Sequence, residues 1–532
     1  MVKSKSIYDT RFTKHVVYIL LLLVCSLLVR IFHYTPFMDG DEQRWIYSAK
    51  ALSGYDVPEL PAVYHSRVLF SLLLVSWAGI FGWSWLSFKV LAFTISLLSI
   101  TTVALATRYY FGFRAALLAG IFYAFHPINI LFDTAIIPDT LGSLLSSIAM
   151  LLFGRFLVTN SKTTLSGAGL LTGLLFSIKG YFVLFIVPFC LLLILFRDKN
   201  NRIKELIYIL FGFGVGLFLA VAILAITGFM TTGDIFSFVK VYTSYSDQML
   251  NVQPDSVNYT GIKKWFYFFT ERLDYFNQLF NSYGQAYGVL TLWALIVLIK
   301  ERKSPYPFII LVNIVVFILF LMEQPTYLLA DRYLTVLLLP LALGAGYALD
   351  QLAASLRAAE LLNAGIVTFI IMITLGAWEP NDHLDRYRVM EFNGIVEAQN
   401  IAKQRNIETI ALRTESGFLT GLPECLKEGI PNIIFLPMEK NDGSEVISFL
   451  RQQPEKNAVF IPRLKLKTLY NQAYANSGIS EVEPSLLPVL ASMGKDGAKR
   501  LPVYVPYTSF RLRLSDLGVK QNGQLVGWLY SY

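Results

Sequence analysis

Three carboxylates fall within four residues in segment 39–45 (DGDEQRW), which directly follows the first apolar run of the chain. Asp39, Asp41 and Glu42 would then lie at the mouth of a membrane span. A carboxylate placed there can act as a general base, orient a hydroxyl group or bind a divalent cation. A solvated loop that is simply acidic is the alternative interpretation.

A second acidic group, Asp133 and Asp139, follows a later apolar run, and we expect it on the same outer face of the membrane. A carboxylate deep in a bilayer costs about 2.5–3.5 kcal/mol on insertion scales, so these side chains should lie at the interface or in a wet cavity. Placement at the boundary explains each acid singly. Two acidic groups on one face, together with basic partners, indicate a binding or catalytic site.

Two cations are also expected on that outer face, against the usual distribution of positive charge. Lys179 lies in a tight turn between two apolar runs, and Arg332 lies in the sequence Ala-Asp-Arg-Tyr. An anionic ligand such as phosphate would explain both cations. Snorkelling to lipid headgroups is the alternative for Lys179, and an ion pair with Asp331 or Glu323 is the alternative for Arg332.

Three more residues have side chains that suit a site. His65 and Arg67 end the loop that begins with the first acidic segment, so they are close in sequence to its carboxylates. His126 precedes Pro127 near the outer end of a span, and we predict a structural histidine there rather than a metal ligand.

The composition is that of a membrane protein. Of 532 residues, 55% are hydrophobic and only 15% are charged, and the mean hydropathy is +0.52. Soluble domains carry about 25% charged residues. The net charge of +8 is concentrated at the ends of apolar runs, which indicates membrane topology and no nucleic-acid partner. The three cysteines give neither a disulfide framework nor a zinc spacing.

Eleven apolar runs are long enough, or nearly so, to cross the hydrocarbon core, and the total is predicted at roughly 11–13 transmembrane helices. The predicted spans are 16–33, 86–107, 114–131, 140–158, 163–179, 181–196, 204–228, 284–299, 306–322, 328–349 and 359–378. The first is predicted to be an uncleaved span. A further run, 68–83, is predicted to lie in the membrane plane, because every cytoplasmic connection is then basic.

The long apolar runs end at residue 379. Residues 1–379 are therefore predicted to form a helical transmembrane domain, with a first external loop at 34–85 and a large external loop at 229–283. Residues 380–532 are predicted to form a small extracytoplasmic α/β domain. Its predicted strands are 409–413, 432–436 and 458–461, and its predicted helices are 391–404, 422–428 and 444–452.

The pattern D-E-x-x-W at 41–45, followed by A-x-x-L-x-G at 49–54, resembles the acidic first-loop motif of C-type (GT-C fold) glycosyltransferases. The similarity is to the group of protein O-mannosyltransferases and lipid A aminoarabinose transferases, over about residues 10–350. It continues through Phe81-Gly82-Trp83-Ser84, Pro138-Asp139-Thr140, the Lys179 turn, and Arg332-Tyr333 ahead of Pro340. The Lys-Pro element often found late in the first loop is absent, and 65–67 (HSR) occupies its place.

The resemblance implies a polytopic GT-C fold and an inverting transfer of a sugar from a polyprenyl-phosphate carrier. Asp41 would be the catalytic base, because the catalytic aspartate of the family occupies the first position of the Asp-Glu pair. Glu42 and Asp139 would orient the acceptor or the base, or hold a divalent cation, which is the only cofactor expected.

The other site residues follow from the same resemblance. Lys179, Arg332 and Arg67 would bind the donor phosphate, whose negative charge grows as the glycosidic bond breaks. The candidates for acceptor or metal contacts are Asp39, Asp133 and His65. The sequence gives no decisive set of metal ligands.

The partners implied are a polyprenyl-phosphate sugar, the lipid bilayer, and a glycan, glycolipid or protein acceptor. The chain is expected in a prokaryotic inner membrane, with its site and C-terminal domain facing outward. Two other functions stay open: a transporter or flippase of a lipid-linked sugar, and a non-catalytic scaffold for envelope assembly. A transporter is expected to have inverted repeats and charges near the midplane, and the sequence has neither.

Overall fold

The computed structural model describes residues 3–32, 40–57, 60, 64, 66–240, 285–323, 331–355, 394–413, 432–436, 444–462, 497–505 and 524–531. The chain forms two compact units, which are described separately: residues 1–32 with 48–377, and residues 33–47 with 378–532. The predicted domain boundary at 379/380 lies outside the described residues and stays a prediction.

The described part of the first unit is helical. Its helices are α1 (Lys3–Phe32), the end of α2 (Gly40–Leu52), α3 (Val68–Phe81), α4 (Trp85–Phe111), α5 (Phe113–Phe125), α6 (Pro127–Asp133), α7 (Pro138–Thr159), α8 (Lys162–Leu174), α9 (Ile186–Phe196), α10 (Lys199–Thr232), α11 (Gln285–Lys300), α12 (Pro305–Glu323) and α13 (Thr335–Ser355). Short 3₁₀ turns lie at Leu175–Ser177, Gly180–Phe185 and Asp331–Leu334.

Four helices of the described chain are long and apolar enough to cross a membrane: α4, α7, α10 and α13. Shorter apolar helices of 10–17 residues accompany them. Every predicted span coincides with one or two of these elements except 359–378, which lies outside the described residues. The prediction of a helical integral membrane protein is therefore confirmed, while the exact number of spans stays a prediction.

The ambiguous run 68–83 forms α3 and a tight turn into α4. Its 14 residues give a helix of about 21 Å, which is shorter than the hydrocarbon core of about 30 Å. Gly82 has a φ of +82°, which glycine adopts without steric cost. The Trp77 indole donates a hydrogen bond to the Ser87 carbonyl, 3.0 Å away, and closes the hairpin. The in-plane placement of this segment stays a prediction.

His126 joins α5 to α6. Its Nδ1 accepts a hydrogen bond from the backbone N–H of Ile128 at 3.3 Å, so the imidazole caps the N-terminus of α6. The ring is buried and lies 4.8 Å from the ring of Tyr287. A cap of this kind satisfies a backbone donor that the helix itself leaves unpaired. This cap agrees with the predicted structural role of His126.

Glycines bring α8 and α10 into direct backbone contact. Gly169 and Gly173 on α8 face Gly212 and Gly216 on α10. The two glycines of each helix are four residues apart and therefore lie on one face. A Cβ built on any of the four would fall within 3.0 Å of a carbonyl oxygen on the facing helix. Small residues at this spacing are the usual means of close helix packing in membranes, where lipid supplies no hydrophobic drive for association.

The second unit contains a mixed five-stranded sheet in the order β2-β1-β3-β5-β4. Its strands are β1 (Thr409–Arg413), β2 (Asn432–Leu436), β3 (Asn457–Pro462), β4 (Lys499–Val505) and β5 (Gln524–Ser531). The strand β1 runs parallel to β2 and β3, whereas β5 is antiparallel to β3 and β4. The helices α14 (Gly394–Gln404) and α15 (Ser444–Gln452) pack on this sheet.

The predicted small C-terminal α/β domain is confirmed in its described part. The first three strands and two of the three helices lie where the sequence predicts them. The third predicted helix, 422–428, lies outside the described residues. The strands β4 and β5 were not predicted.

The glycine contact between α8 and α10 can be tested by one methyl group. Gly212→Ala should lower the midpoint of thermal unfolding in detergent, because its Cβ would overlap the Ser166 carbonyl oxygen. Overpacking of this kind typically costs about 1–3 kcal/mol. The control is Gly214→Ala on the same helix, where a Cβ meets nothing within 4 Å. Equal loss in the two variants would contradict the close packing.

Candidate functional site

Asp139 occupies the first turn of α7. Ile137 is extended and Pro138 is the first helical residue, a position that suits proline because its missing N–H has no helical partner there. The N-terminus of a helix carries a partial positive charge, which stabilises a carboxylate in the first turn. The side chain of Asp139 is only 2% exposed.

Lys179 is brought to Asp139 by a break in the helical chain. It has an extended backbone, with φ −156° and ψ 129°, between the 3₁₀ turns Leu175–Ser177 and Gly180–Phe185. Its Nζ lies 2.6 Å from Oδ1 of Asp139. The hydroxyl of Tyr181 donates to the same oxygen at 3.1 Å. One carboxylate oxygen therefore accepts from both side chains of the turn.

A close packing contact holds this turn against α7. Gly142 lies one helical turn after Asp139, and a Cβ there would fall within 3.0 Å of the Phe182 ring. Phe182 is completely buried and follows Tyr181 directly. The absence of a side chain at Gly142 therefore lets the Lys179 turn approach the start of α7.

Aromatic rings surround the ammonium group. Nζ of Lys179 lies 4.6 Å from the centroid of the Tyr333 ring and 5.8 Å from that of Tyr181. The Tyr181 ring also packs on Phe320 at 5.1 Å. The electron-rich faces of tyrosine rings attract a cation.

The second oxygen of Asp139 differs from the first. Oδ2 is buried and has no hydrogen-bond partner among the described residues. A buried carboxylate oxygen without a donor is costly, which makes it a feature that calls for an explanation. Asp139, Lys179, Tyr181 and Tyr333 are called the Asp139 cluster below.

Asp133 has a different environment. Its Oδ2 accepts from Arg30 at 2.8 Å and from the Ser96 hydroxyl at 2.9 Å. Arg30 is fully buried and also donates to Ser26 and to the Ala124 carbonyl. This ion pair ties the end of α6 to α1, so its evident role is structural. The predicted acceptor or metal contact of Asp133 stays a prediction.

Two of the predicted first-loop residues, Asp41 and Glu42, lie in α2. Asp41 is in the first turn of α2, and its side chain is outside the described part of the structure. Glu42 is fully buried. Both belong to the second compact unit. Asp39 and His65 lie outside the described residues, so their predicted roles stay predictions.

The other predicted phosphate-binding residues are in the first unit. Arg67 directly precedes α3 and is half-buried. Arg332 lies in the 3₁₀ turn Asp331–Leu334, next to Tyr333 of the Asp139 cluster, and its side chain is outside the described part. The Asp139 cluster thus unites two predicted site residues, Asp139 and Lys179. A third, Arg332, directly precedes the cluster residue Tyr333 in the sequence.

No group of three or more His, Cys, Asp or Glu side chains that could hold a metal ion occurs in the described part of the chain. The side chains of Asp39, Asp41 and His65 lie outside that part. The divalent cation expected from the resemblance therefore stays a prediction.

Two members of the cluster were not predicted as site residues, although each adjoins a predicted cation. Tyr181 is two residues after Lys179, and Tyr333 is the residue after Arg332. The sequence did contain a signal for them, because a tyrosine follows each of the two cations within two residues. Gly142 gave no signal, because its role depends on contact with a residue 40 positions away.

The comparisons with known proteins agree with the predicted resemblance. Residues 67–226 match the family model described as dolichyl-phosphate-mannose-protein mannosyltransferase. This segment includes Arg67, Asp139, Lys179 and Tyr181. The predicted resemblance to glycosyltransferases that use lipid-phosphate sugars is thereby confirmed for this part of the chain. No curated protein matches the sequence.

Solved structures give weaker similarities. The apo oligosaccharyltransferase of Archaeoglobus fulgidus is 13% identical, with 84% of this chain and 69% of that chain covered and a TM-score of 0.48. ArnT from Cupriavidus metallidurans bound to undecaprenyl phosphate is 15% identical, with 73% and 72% covered and a TM-score of 0.44. Apo ArnT is 12% identical, with 97% of each chain covered and a TM-score of 0.44.

The burial of the Lys179–Asp139 pair can be tested against an exposed pair. Lys179→Met should destabilise the protein by about 3–5 kcal/mol, because it leaves a buried carboxylate without its cation. The matched control is Lys240→Met, whose lysine is 77% exposed and lies 2.7 Å from Asp234. That change should leave the thermal midpoint in detergent almost unaltered.

A double variant separates charge from packing. Adding Asp139→Asn to Lys179→Met should recover part of the lost stability, because the buried charge is removed as well. Equal midpoints for Lys179→Met and Lys240→Met would show that the Asp139 cluster is accessible to water.

Proposed function

We propose that the chain is an inverting membrane glycosyltransferase, which moves a sugar from a polyprenyl-phosphate donor to an extracytoplasmic acceptor. The observation that carries the proposal is the Asp139 cluster. Three of its four members, Asp139, Lys179 and Tyr181, lie within residues 67–226, the segment that matches the mannosyltransferase family model. A buried carboxylate, a buried ammonium and two half-buried tyrosines form a polar site at the start of α7.

The cations suit the leaving group. As the glycosidic bond breaks, negative charge gathers on the polyprenyl phosphate, and a well-placed donor can stabilise that charge by about 3–4 kcal/mol. Lys179, with Arg67 and Arg332, would bind this phosphate. The ion pair with Asp139 holds the Lys179 ammonium group in a fixed position, 2.6 Å from Oδ1, so its positive charge is preorganised for the leaving group.

The base is proposed from the sequence. Asp41 would remove the proton of the acceptor hydroxyl on the face of the sugar opposite the phosphate, which inverts the anomeric centre. A positioned general base typically contributes about 10²–10⁴-fold to the rate. Glu42 would orient Asp41 or the acceptor.

An apolar seam lies beside the start of α7. Its walls are side chains of α3, of α4 and of the segment between α6 and α7, together with Thr140, the neighbour of Asp139. The seam is closed in this state, so an isoprenoid chain would lie along it only after the walls part.

The finer assignments are part of the same proposal. The acceptor, whether glycan, glycolipid or protein, would be bound by the loop 229–283 and the C-terminal α/β domain, both facing outward from an inner membrane. Mannose is the first sugar to test, since the matching family model describes mannosyltransferases.

The test is release of polyprenyl phosphate by the purified full-length protein from a panel of polyprenyl-phosphate sugars. We expect one donor to be cleaved or transferred, and Asp41→Asn to reduce that rate by about 10²-fold or more. The matched control is Asp56→Asn, an exposed aspartate of the same first loop. Its rate should equal that of the wild type.

Other outcomes identify the competing functions. Accumulation of a lipid-linked sugar in sealed vesicles, unaffected by Asp41→Asn, would indicate a transporter. Retained binding of every donor without turnover, in the presence of candidate acceptors, would indicate a scaffold.

A further inference from the structure

The two oxygens of Asp139 have unequal surroundings. Oδ1 accepts from Lys179 at 2.6 Å and from Tyr181 at 3.1 Å. Oδ2 is buried and has no hydrogen-bond partner among the described residues. The carboxylate is therefore fixed by one oxygen and presents the other unpaired.

A buried acceptor of this kind needs a donor from elsewhere, because leaving it unpaired costs the desolvation of a charged oxygen. We propose that the Asp139 cluster is a hydroxyl-recognition subsite, in which Oδ2 accepts a hydrogen bond from a neutral hydroxyl of the donor sugar. Tyr181 is the positioning residue that, with Lys179, turns Oδ2 toward the sugar. The inference rests on the proposed function.

The charge of the cluster selects a neutral group. An ammonium on the sugar could also donate to Oδ2, but it would lie within a few ångströms of the Lys179 ammonium, which already binds the same carboxylate. Like charges at such a distance repel strongly in a site shielded from water. A hydroxyl donates without this repulsion, and a deoxy position leaves Oδ2 unpaired.

The position of the cluster assigns the hydroxyl to the donor. Lys179 is the proposed phosphate ligand, and its Nζ lies 2.6 Å from Oδ1 of Asp139. The sugar is bonded to that phosphate, so its hydroxyls lie within a few ångströms of Lys179. Because Oδ2 is buried in this state, the sugar reaches it only when a neighbouring group moves aside while Tyr181 and Lys179 keep hold of Oδ1.

The experiment uses polyprenyl-phosphate mannose and analogues in which each hydroxyl in turn is replaced by hydrogen or by an amino group. The kcat/KM for release of polyprenyl phosphate is measured without acceptor, and donor binding is followed by thermal stabilisation of the full-length protein. For one position, we expect the deoxy sugar to lose about 10²-fold in kcat/KM. The amino sugar at that position should lose about tenfold or more.

Tyr181→Phe removes one hydroxyl and keeps the ring. In this variant the ratio of kcat/KM between the mannose donor and that deoxy donor should fall to about tenfold or less, because the orientation of Oδ2 is no longer fixed. The matched control is Tyr110→Phe, which removes a structural hydroxyl that donates to the Met150 carbonyl at 3.0 Å. Its discrimination should remain that of the wild type.

Each contrary result has its own meaning. Equal kcat/KM across the deoxy series, with mannose still released, overturns the subsite and leaves glycosyl transfer standing. If the protein neither cleaves nor binds any polyprenyl-phosphate sugar, the proposed function is overturned together with the subsite. If Tyr181→Phe discriminates against the deoxy sugar as strongly as the wild type does, the positioning role of Tyr181 is overturned. Dependence on a hydroxyl of the acceptor alone overturns the assignment to the donor.

Discussion

A charge buried in a membrane protein must be neutralised by a nearby partner, and two such pairs fix the core of the helical unit. Arg30 neutralises Asp133 at the end of α6, and Lys179 neutralises Asp139 at the start of α7. The short connection between the two helices is thus held at both ends by ion pairs. A further buried cation, Lys89, donates to the Thr134 carbonyl at 3.1 Å within that connection. The first turn of α7 therefore has little freedom to move.

The two pairs differ in what they leave open. Arg30 spreads its donors over a carboxylate, two serines and a carbonyl, and Asp133 Oδ2 receives two donors in turn. The expected contribution of this network is to orientation. Asp139 also receives both of its donors on one oxygen, but its other oxygen is buried without a donor among the described residues, and its neighbours are tyrosines rather than serines. An unsaturated carboxylate next to polarisable rings is suited to recognise a ligand.

The sequence was a good guide wherever local pattern decides the structure. Apolar runs located the spans, and short alternating segments located β1, β2 and β3. The strands β4 and β5 escaped prediction because Pro502 and Gly527 interrupt their patterns, and because their pairing with β3 joins residues far apart in the chain. Residue type identified Asp139 and Lys179 singly. Their ion pair depends on the Gly142–Phe182 contact, which no local pattern reveals.

The glycine contacts between α8 and α10 link the site to the bilayer. The apolar stretch of α10, residues 204–228, is about 38 Å long, longer than the hydrocarbon thickness of about 30 Å. Such a helix adapts to its membrane by tilting. Since its backbone touches that of α8, and α8 leads within five residues to Lys179, a change in tilt would be carried to the ammonium group. The thickness of the membrane would therefore influence the position of the Lys179 charge relative to Asp139.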